Sequence, residues 1–570
     1  MPGFFVSNRD PGKATAASGS SLLTESIHHQ DLHVRRATLP RFLDDKLFHE
    51  DERYIVVTDG VLLNKSALLR DRNASSLAEL VRGYLDDDVH DFFRYFRGSF
   101  SGAFYDKSSR EWTAFTNHVG DKAVFWSTAG EMFAISSDVN DLLTWNRAVG
   151  RQLSVNENAV YSILTYGFMT GGETYANEIT RVPPGHYLKV LGGTATVHRY
   201  HQLVRRPDEL TGVAVEEIVD QLDAMFQDAV RTEFEKDVEY GYRHLVDLSG
   251  GLDSRMVTWV AHQLGYQDML NITFSQSGYL DATIAAHIAD HLGNEFLLKS
   301  LDDASFIFDD SQIVAMNHGL ALYSGITGGK QLLDVLNLDH FGIEHTGQLG
   351  DVVVGSFLPR SSGTTPVRMA GAYSSRFADK LDRTHLDAYS DQEIYMFYQR
   401  GFNGALNTHL IRQHYTEVGS PFLNVELMEF CLGVPLALRA NHKLYKEWIV
   451  RKHPGAASFR WEKTGAYLSE GRLGAKLRGV RKYGPPRLRK ALRLPAPARA
   501  TANSMNPFEF WYATKPAVRE HFSRRARTVD TLPVGNEVRS DLTEMFQQGT
   551  VLEKTQALTA VAALEKYFLH

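Results

Sequence analysis

Leu248-Ser249-Gly250-Gly251-Leu252-Asp253-Ser254-Arg255 is the stretch on which the reading of this chain turns. It closes a short apolar run, His244-Leu245-Val246-Asp247-Leu248, and precedes apolar residues at helical spacing from Ser254 to Leu264. A buried strand therefore turns into a helix across it. Two adjacent glycines let the backbone approach a ligand closely, and a helix start offers unpaired N–H groups and a favourable dipole to an anion. Ser249 and Ser254 add hydroxyl donors, and Asp253 is of the type that holds a divalent cation against phosphate oxygens. The lysine that follows the last glycine of a Walker loop is missing, as is the Gly-x-Gly-x-x-Gly spacing of a dinucleotide fold. A plain helix cap accounts for one serine and one glycine but not for the whole set, so the stretch reads as a pyrophosphate cradle.

Working outward, Leu270-Asn271-Ile272-Thr273-Phe274 reads as a second strand and the segment from about Asp281 to Leu292 as a second helix. Alternation of this kind implies a parallel sheet with helices on its faces. Upstream, Val213 to Phe234 has helical spacing, and the charged, proline-containing run from Arg205 to Gly212 marks a boundary. From Arg53 to Leu143, short alternating segments such as Tyr54-Ile55-Val56-Val57 are separated by glycine turns, which predicts a β-rich layered domain. Downstream, residues 471–500 are rich in Arg, Lys and Pro and hold no Asp or Glu, the composition of a solvated linker. Leu552 to Phe568 reads as a terminal amphipathic helix. The expected units are 1–205, 213–470, the linker 471–500 and a helical extension 501–570.

At 570 residues the chain is too long for one hydrophobic core. A formal net charge of -7 disfavours a dedicated nucleic-acid binder, which carries a basic excess. The single cysteine, Cys431, excludes an internal disulfide framework and reads as a small buried apolar residue. His28, His29 and His33 lack cysteine or carboxylate partners at ligand spacing, and no structural zinc is expected. The start of the chain has no basic region followed by an apolar one, and no apolar stretch reaches the length of a membrane span, so a cytoplasmic enzyme without membrane or nucleic-acid partners is expected.

The loop at 248–254 resembles the Ser-Gly-Gly-x-Asp-Ser signature of ATP pyrophosphatases, which cleave ATP between its α- and β-phosphates. Further segments narrow the resemblance to the asparagine synthetase family. Thr273-Phe274-Ser275 followed by Asp281 is similar to that family's second strand and helix entrance, and His345-Thr346-Gly347-Gln348-Leu349-Gly350-Asp351 to its second metal motif. Pro421-Phe422-Leu423-Asn424, the run Pro435 to Arg451 and Trp461-Glu462-Lys463-Thr464-Gly465 resemble its late active-site segments. The resemblance covers most of residues 1–470. It implies an Ntn-hydrolase-like αββα domain followed by an ATP-pyrophosphatase α/β domain. Leu248, Ser249, Gly250, Gly251, Asp253, Ser254, Phe274, Ser275, Thr346 and Gly347 would then bind ATP, with Asp253 and Asp351 on Mg²⁺. Lys443, with Lys446 second, would stabilise the leaving pyrophosphate. The resemblance also admits a homodimer.

The family's first domain hydrolyses glutamine through a cysteine directly after the initiator Met, where this chain has Pro2. Asp59-Gly60-Val61-Leu62-Leu63-Asn64 is similar to the family's Asn-Gly-Glu-Ile-Tyr-Asn strand, and Arg97-Gly98-Ser99-Phe100 and Val182-Pro183-Pro184-Gly185 also resemble family segments. Yet Asp59 stands in place of an oxyanion-stabilising asparagine, and Arg97 in place of the aspartate that binds the substrate's amino group. A carboxylate cannot donate to an oxyanion, a guanidinium repels an ammonium, and proline offers no thiolate. The domain is therefore expected to be inactive as a glutaminase.

What the resemblance implies for the chemistry is adenylation of a small-molecule or peptide carboxylate by ATP, then attack by ammonia or an amine. Gln348 replaces the glutamate that would take the proton, which leaves Glu344, His345 or an unplaced loop residue as candidates. Three readings stay open: a ligase using ammonia or an amine, an intramolecular cyclase such as the β-lactam synthetases and lasso-peptide cyclases that also lack the cysteine, and a non-catalytic ATP-binding scaffold. The segment Met505-Asn506-Pro507-Phe508-Glu509-Phe510-Trp511-Tyr512, together with Glu553-Lys554-Thr555-Gln556-Ala557-Leu558, is similar to an extension of asparagine-synthetase-like proteins outside the housekeeping enzymes, and its aromatic density also suits docking of the terminal helix.

Overall fold

The computed structural model describes residues 2–10, 22–206, 209–325, 327–355, 357, 367–469, 504 and 506–569. The expected linker 471–500 lies outside the described residues, as do the first residues of the expected extension.

Alternation of apolar residues builds two six-stranded antiparallel sheets in the first two hundred residues. One centres on Gly3–Ser7, paired with Leu32–Thr38 and Met132–Ser136; the other centres on Tyr54–Leu62 and Gly98–Asp106, paired over nine residues from Tyr54↔Asp106 to Leu62↔Gly98. Their inner faces meet in a core of Phe4, Val6, Val34 and Ile135 from the first and Ile55, Val57, Ala103 and Leu188 from the second. Helix Leu77–Asp86 covers the outer face of the second sheet with Leu80, Val81 and Tyr84 against Phe100 and Phe104. Helices Val139–Ala148 and Glu157–Tyr166 cover the first. The result is an αββα sandwich, in which each sheet buries both faces. His28 and His33 face each other on adjacent strands of this domain, rings 5.2 Å apart.

The second half is α/β. Five parallel strands run Glu295–Ser300, Met269–Ser275, Arg243–Asp247, Phe341–His345 and Glu417–Gly419 across the sheet. In chain order this is 3-2-1-4-5, so the direction of winding reverses between Arg243–Asp247 and Phe341–His345. Open α/β sheets present their binding crevice beyond the carboxyl ends of the strands at such a reversal. Helix Val215–Tyr240, 26 residues long, packs along the sheet through Phe226, Val230 and Phe234. Cys431 is fully buried in the same core, and burial pushes its thiol up to about 12.

The chain ends in helices Phe508–Thr514, Pro516–Thr528, Asn536–Gln548 and Val551–Phe568. The last returns to the first domain: Gln556 Nε2 donates to the carbonyls of Ile163 and Leu164, 3.0 Å each. Trp511 is fully buried in the core they share. Among the described residues no helix is long and apolar enough to cross a membrane.

Candidate functional site

The two motif-bearing turns leave the sheet side by side at its winding reversal. After Asp247 the chain forms the 248–252 loop and enters helix Asp253–Gln263, whose N-cap, Leu252, has no side chain to bond the first-turn N–H groups. Those donors are left for a ligand. Ser249 N–H donates to Ser254 Oγ at 2.9 Å, Gly251 N–H to Ser249 Oγ at 3.1 Å, and Gly250 N–H to Asp281 Oδ1 at 2.8 Å. The second turn, 346–351, packs directly on that helix start. A Cβ on Gly347 would lie 2.3 Å from Ser254 N, so only glycine permits the contact.

A cavity of about 660 Å³ opens over both turns. Leu248, Ser249, Gly251, Asp253, Ser254, Phe274, Gly347 and Asp351 line it. The other expected ligands support it from behind: Gly250 closes onto Asp281, Ser275 is buried, and Thr346 Oγ1 donates to the Gly419 carbonyl at 2.9 Å.

Asp253 and Asp351 come together here. The Asp351 N–H donates to Asp253 Oδ2 at 3.0 Å, and Tyr445 OH donates to Asp253 Oδ1 at 2.8 Å. Burial, then the charge of Asp351, pushes the Asp253 carboxyl up to about 8, and burial raises Asp351 as well. Two half-buried carboxylates held against their mutual repulsion are a donor set for a hard divalent cation of the Mg²⁺ kind, which would return both to the ionised form.

Two cations act on Asp351, Lys463 first and then Arg400. Lys463 lines the cavity, its Nζ donates to His442 Nε2 at 3.2 Å, and it stands 5.5 Å over the Trp461 ring. Burial and the charges of Lys463 and Lys446 push His442 down to about 4, which keeps it neutral and able to accept. Lys443 is exposed and off the cavity wall, and Lys446 rests 5.1 Å over Trp461, also outside the lining. The physical reason is a kink: Asn441 (φ 60°) and His442 (φ 57°) both take the left-handed conformation just before helix Lys443–Lys452. His442 lines the cavity, and Lys443 begins the exposed turn beyond it.

Neither residue considered as a substitute base reaches the cavity. Glu344 is buried against Arg412, whose NH1 also lies 2.9 Å from Asp247, and burial pushes Glu344 up to about 8 despite that arginine. His345 is clamped between Glu233 (2.7 Å) and Asp237 (2.8 Å); burial alone would lower it, but Asp237 and Glu233 outweigh this and raise it to about 9. Gln348 itself lines the cavity. Arg400 and Tyr373 line it too, unmarked by any motif in the sequence, and so does Tyr445, which falls within the family-like run Pro435 to Arg451. Lys463 did carry a signal, since Trp461-Glu462-Lys463 belonged to the family-like segment.

On the amino-terminal side Asp59 faces the second half of the molecule. Its Oδ2 pairs with Lys122 Nζ at 2.9 Å, and both Lys122 and Lys46 pair with Glu417 at 2.9 Å, with Lys46 3.7 Å from Asp59 Oδ1. These side chains are 0–5% exposed. Burial alone would raise Asp59, but Lys122 and Lys46 outweigh it and hold the carboxyl well below its usual range. The position is an ionised structural link across the two halves, with no donor to offer an oxyanion. Arg97 pairs with Glu426 at 2.8 Å, and Pro2 is buried ahead of the central strand.

Family models match at two places: a glutamine amidotransferase domain over residues 33–201 and an asparagine synthase domain over residues 221–310. No curated protein matches the sequence. Among solved structures, glutamine phosphoribosylpyrophosphate amidotransferase of B. subtilis, complexed with ADP and GMP, is 11% identical over 52% of this chain and 59% of that chain, with a TM-score of 0.21. An allosteric regulatory enzyme of purine biosynthesis is 8% identical over 52% of this chain and 74% of that chain, with a TM-score of 0.24. The chain spans 59% of the length of the first, and at these TM-scores neither likeness bears on the fold.

Proposed function

This chain belongs to the asparagine synthetase family, by its amidotransferase domain at 33–201 and its asparagine synthase domain at 221–310, and we propose that it is an ATP-dependent amide-forming ligase that works without hydrolysing glutamine. The observation that carries the reading is the convergence of the 248–254 loop, Asp351 and Lys463 on one cavity. A carboxylic acid is adenylated there with release of pyrophosphate, and ammonia or an amine then displaces AMP.

Each residue has a task that follows from its chemistry. The 248–254 backbone and hydroxyls cradle the phosphates. Asp253 and Asp351 would hold Mg²⁺, which neutralises charge on the departing pyrophosphate. Lys463, exposed at the rim of the cavity, adds a positive charge on the same side. Tyr445 holds Asp253 in register through its 2.8 Å hydrogen bond.

Loss of the glutaminase is supported by three changes together: Pro2 for a nucleophile, Asp59 tied into a buried ion network, and Arg97 paired with Glu426. With no glutamine-derived ammonia, the nitrogen comes from free ammonia or from an amine. The same observation suits an acid that carries its own amine and is cyclised, which is the second reading.

The test is carboxylate-dependent release of pyrophosphate from MgATP, with ammonia, with glutamine, and with amine-bearing acids as their own donors. Release with ammonia or an amine but not with glutamine is expected. Glutamine serving as well as ammonia would overturn the inactive glutaminase. Turnover confined to amine-bearing acids would establish the cyclase, and no release with any acid despite ATP binding would favour a scaffold.

A further inference from the structure

One wall of the cavity carries a carboxyl pair that the phosphate chemistry does not use. Strands Arg243–Asp247 and Phe341–His345 run parallel, with Leu245 opposite Glu344. Side chains alternate along a strand, so Asp247, two residues past Leu245, shares a sheet face with Glu344. Helix Asn407–Arg412 lays Arg412 over both: its NH1 lies 2.9 Å from Asp247 Oδ2 and also pairs with Glu344 Oε1. Asp247 and Arg412 line the cavity, as does Thr408, one helical turn before Arg412.

One oxygen of each carboxyl is left over. Asp247 Oδ1 and Glu344 Oε2 are buried and receive no donor among the described residues. The two carboxyls are nonetheless hydrogen-bonded to each other. A pair of carboxylates has only acceptors to offer, so that bond requires a proton. Burial, then the charge of Asp247 and its hydrogen bond, hold Glu344 up at about 8 against Arg412 and His345. His345, the other charged group acting on Glu344, is itself clamped by Glu233 and Asp237. With one proton shared, the single positive charge of Arg412 balances the pair, whereas two ionised carboxylates at this range repel.

The remaining lining groups have other tasks. Asp253 and Asp351 meet at the cation position, Asp281 accepts from Gly250 N–H, and Glu462 accepts from Tyr279 OH. His442 spends Nε2 on Lys463, and the amide of Gln348 is no base. Asp247, its side chain 18% exposed, keeps a second lone pair on Oδ2 beside the one Arg412 occupies.

Resting on the ligase reading, we propose that Asp247 is the base that takes the proton from the nitrogen nucleophile, and that Glu344 and Arg412 are the residues that position it. The nitrogen lone pair forms the C–N bond, the bond from the carbonyl carbon to the AMP oxygen breaks, and AMP leaves with that electron pair. The proton shed by nitrogen passes to Asp247 and reaches solvent after the products leave. Glu344 keeps its own proton throughout and holds Asp247 by donating to it. Thr408 Oγ1, buried and without a hydrogen-bond partner among the described residues, is placed on the same wall to hold the approaching nitrogen.

The test joins an infrared measurement to a separation of the two half-reactions, both on the full-length chain. The spectrum of wild type minus that of Glu344→Gln at about pH 6 should show one protonated-carboxyl band, fading as the pH rises through about 8, because the proton is held below that value and lost above it. Glutamine can donate to Asp247 as the protonated acid does, so this variant keeps the fold. ATP–pyrophosphate exchange with aspartate, 2-aminoadipate and hexanoate reports adenylation, and amide formation with ammonia reports the second step. Asp247→Asn should keep exchange within about threefold and lose amide formation by about 100-fold or more, while Glu344→Gln keeps both within about threefold. Absence of the band, amide formation by Asp247→Asn near the wild-type rate, or loss of exchange in that variant would overturn the inference; the last would make Asp247 a ligand of ATP or of the acid. The ligase reading fails separately. Wild type silent in exchange with every acid sinks that reading and the base role with it, and the band still decides the shared proton; normal exchange and amide formation in Asp247→Asn sinks the base alone.

Discussion

Restoring the family's asparagine at position 59 is expected to damage this protein. Asp59 is one of two carboxylates that balance Lys46 and Lys122 in a cluster 0–5% exposed, with three contacts of 2.9 Å. Asp59→Asn keeps the shape but leaves a buried excess of one positive charge where the two halves meet. Removing one partner of a buried pair costs about 3–5 kcal/mol, because the remaining charge stays desolvated. For a unit of this size that lowers the melting temperature by about 10 °C. The assay is a melting curve on the full-length chain at fixed scan rate, compared with the double variant Asp59→Asn/Lys122→Met. The double variant should recover much of the loss, since one lysine and Glu417 then balance. Between pH 5 and 8 the Asp59 contribution should stay constant: a depressed carboxylate stabilises above its unfolded pKa and loses that only as the pH falls through the folded value. Asp59→Asn should also fail to hydrolyse glutamine, because the thiolate is still missing. A melting temperature unchanged by the substitution, or no recovery in the double variant, would refute the account of the cluster as a balanced link.

Other outcomes follow from the site. Lys463→Gln should lower the rate of pyrophosphate release by about 100-fold or more, while Lys443→Gln stays near wild type, read from turnover at saturating ATP. Without Mg²⁺, thermal stability should fall as the pH rises from about 4 toward about 8, because the folded state keeps on Asp253 a proton that the unfolded state releases; saturating Mg²⁺ should remove that slope. Gln556→Ala should destabilise the chain by about 1–3 kcal/mol in the same melts, since it removes the donor to two buried carbonyls, and should spare ATP binding in the folded fraction.

Local chemistry made much of this molecule legible in its residue order. Strand Met269–Ser275 and helices Asp253–Gln263, Leu280–Leu292 and Val551–Phe568 fall within a residue or so of their periodic patterns, because burial of one face imposes a period that the sequence must carry. The strand–loop–helix at 248–254 was equally plain, since its glycines, hydroxyls and aspartate fall within a single turn. Helix Val215–Tyr240 ran six residues beyond the apolar pattern that ended at Phe234, because its last turns bury Lys236 and Asp237 in ion pairs rather than apolar side chains.

What sequence alone determined was thus the α/β alternation of the second half, the strand–loop–helix at 248–254 and the two aspartates that meet beside it. Only the tertiary structure decided which lysine stands at the aspartates, because a two-residue left-handed kink carries His442 to the cavity and leaves Lys443 outside it. It alone ties Asp59 to Glu417, 358 positions further along, and lays Phe168 on the turn that carries Arg400. Contacts between residues hundreds of positions apart leave no period and no motif in one sequence; they exist only once the two halves have packed.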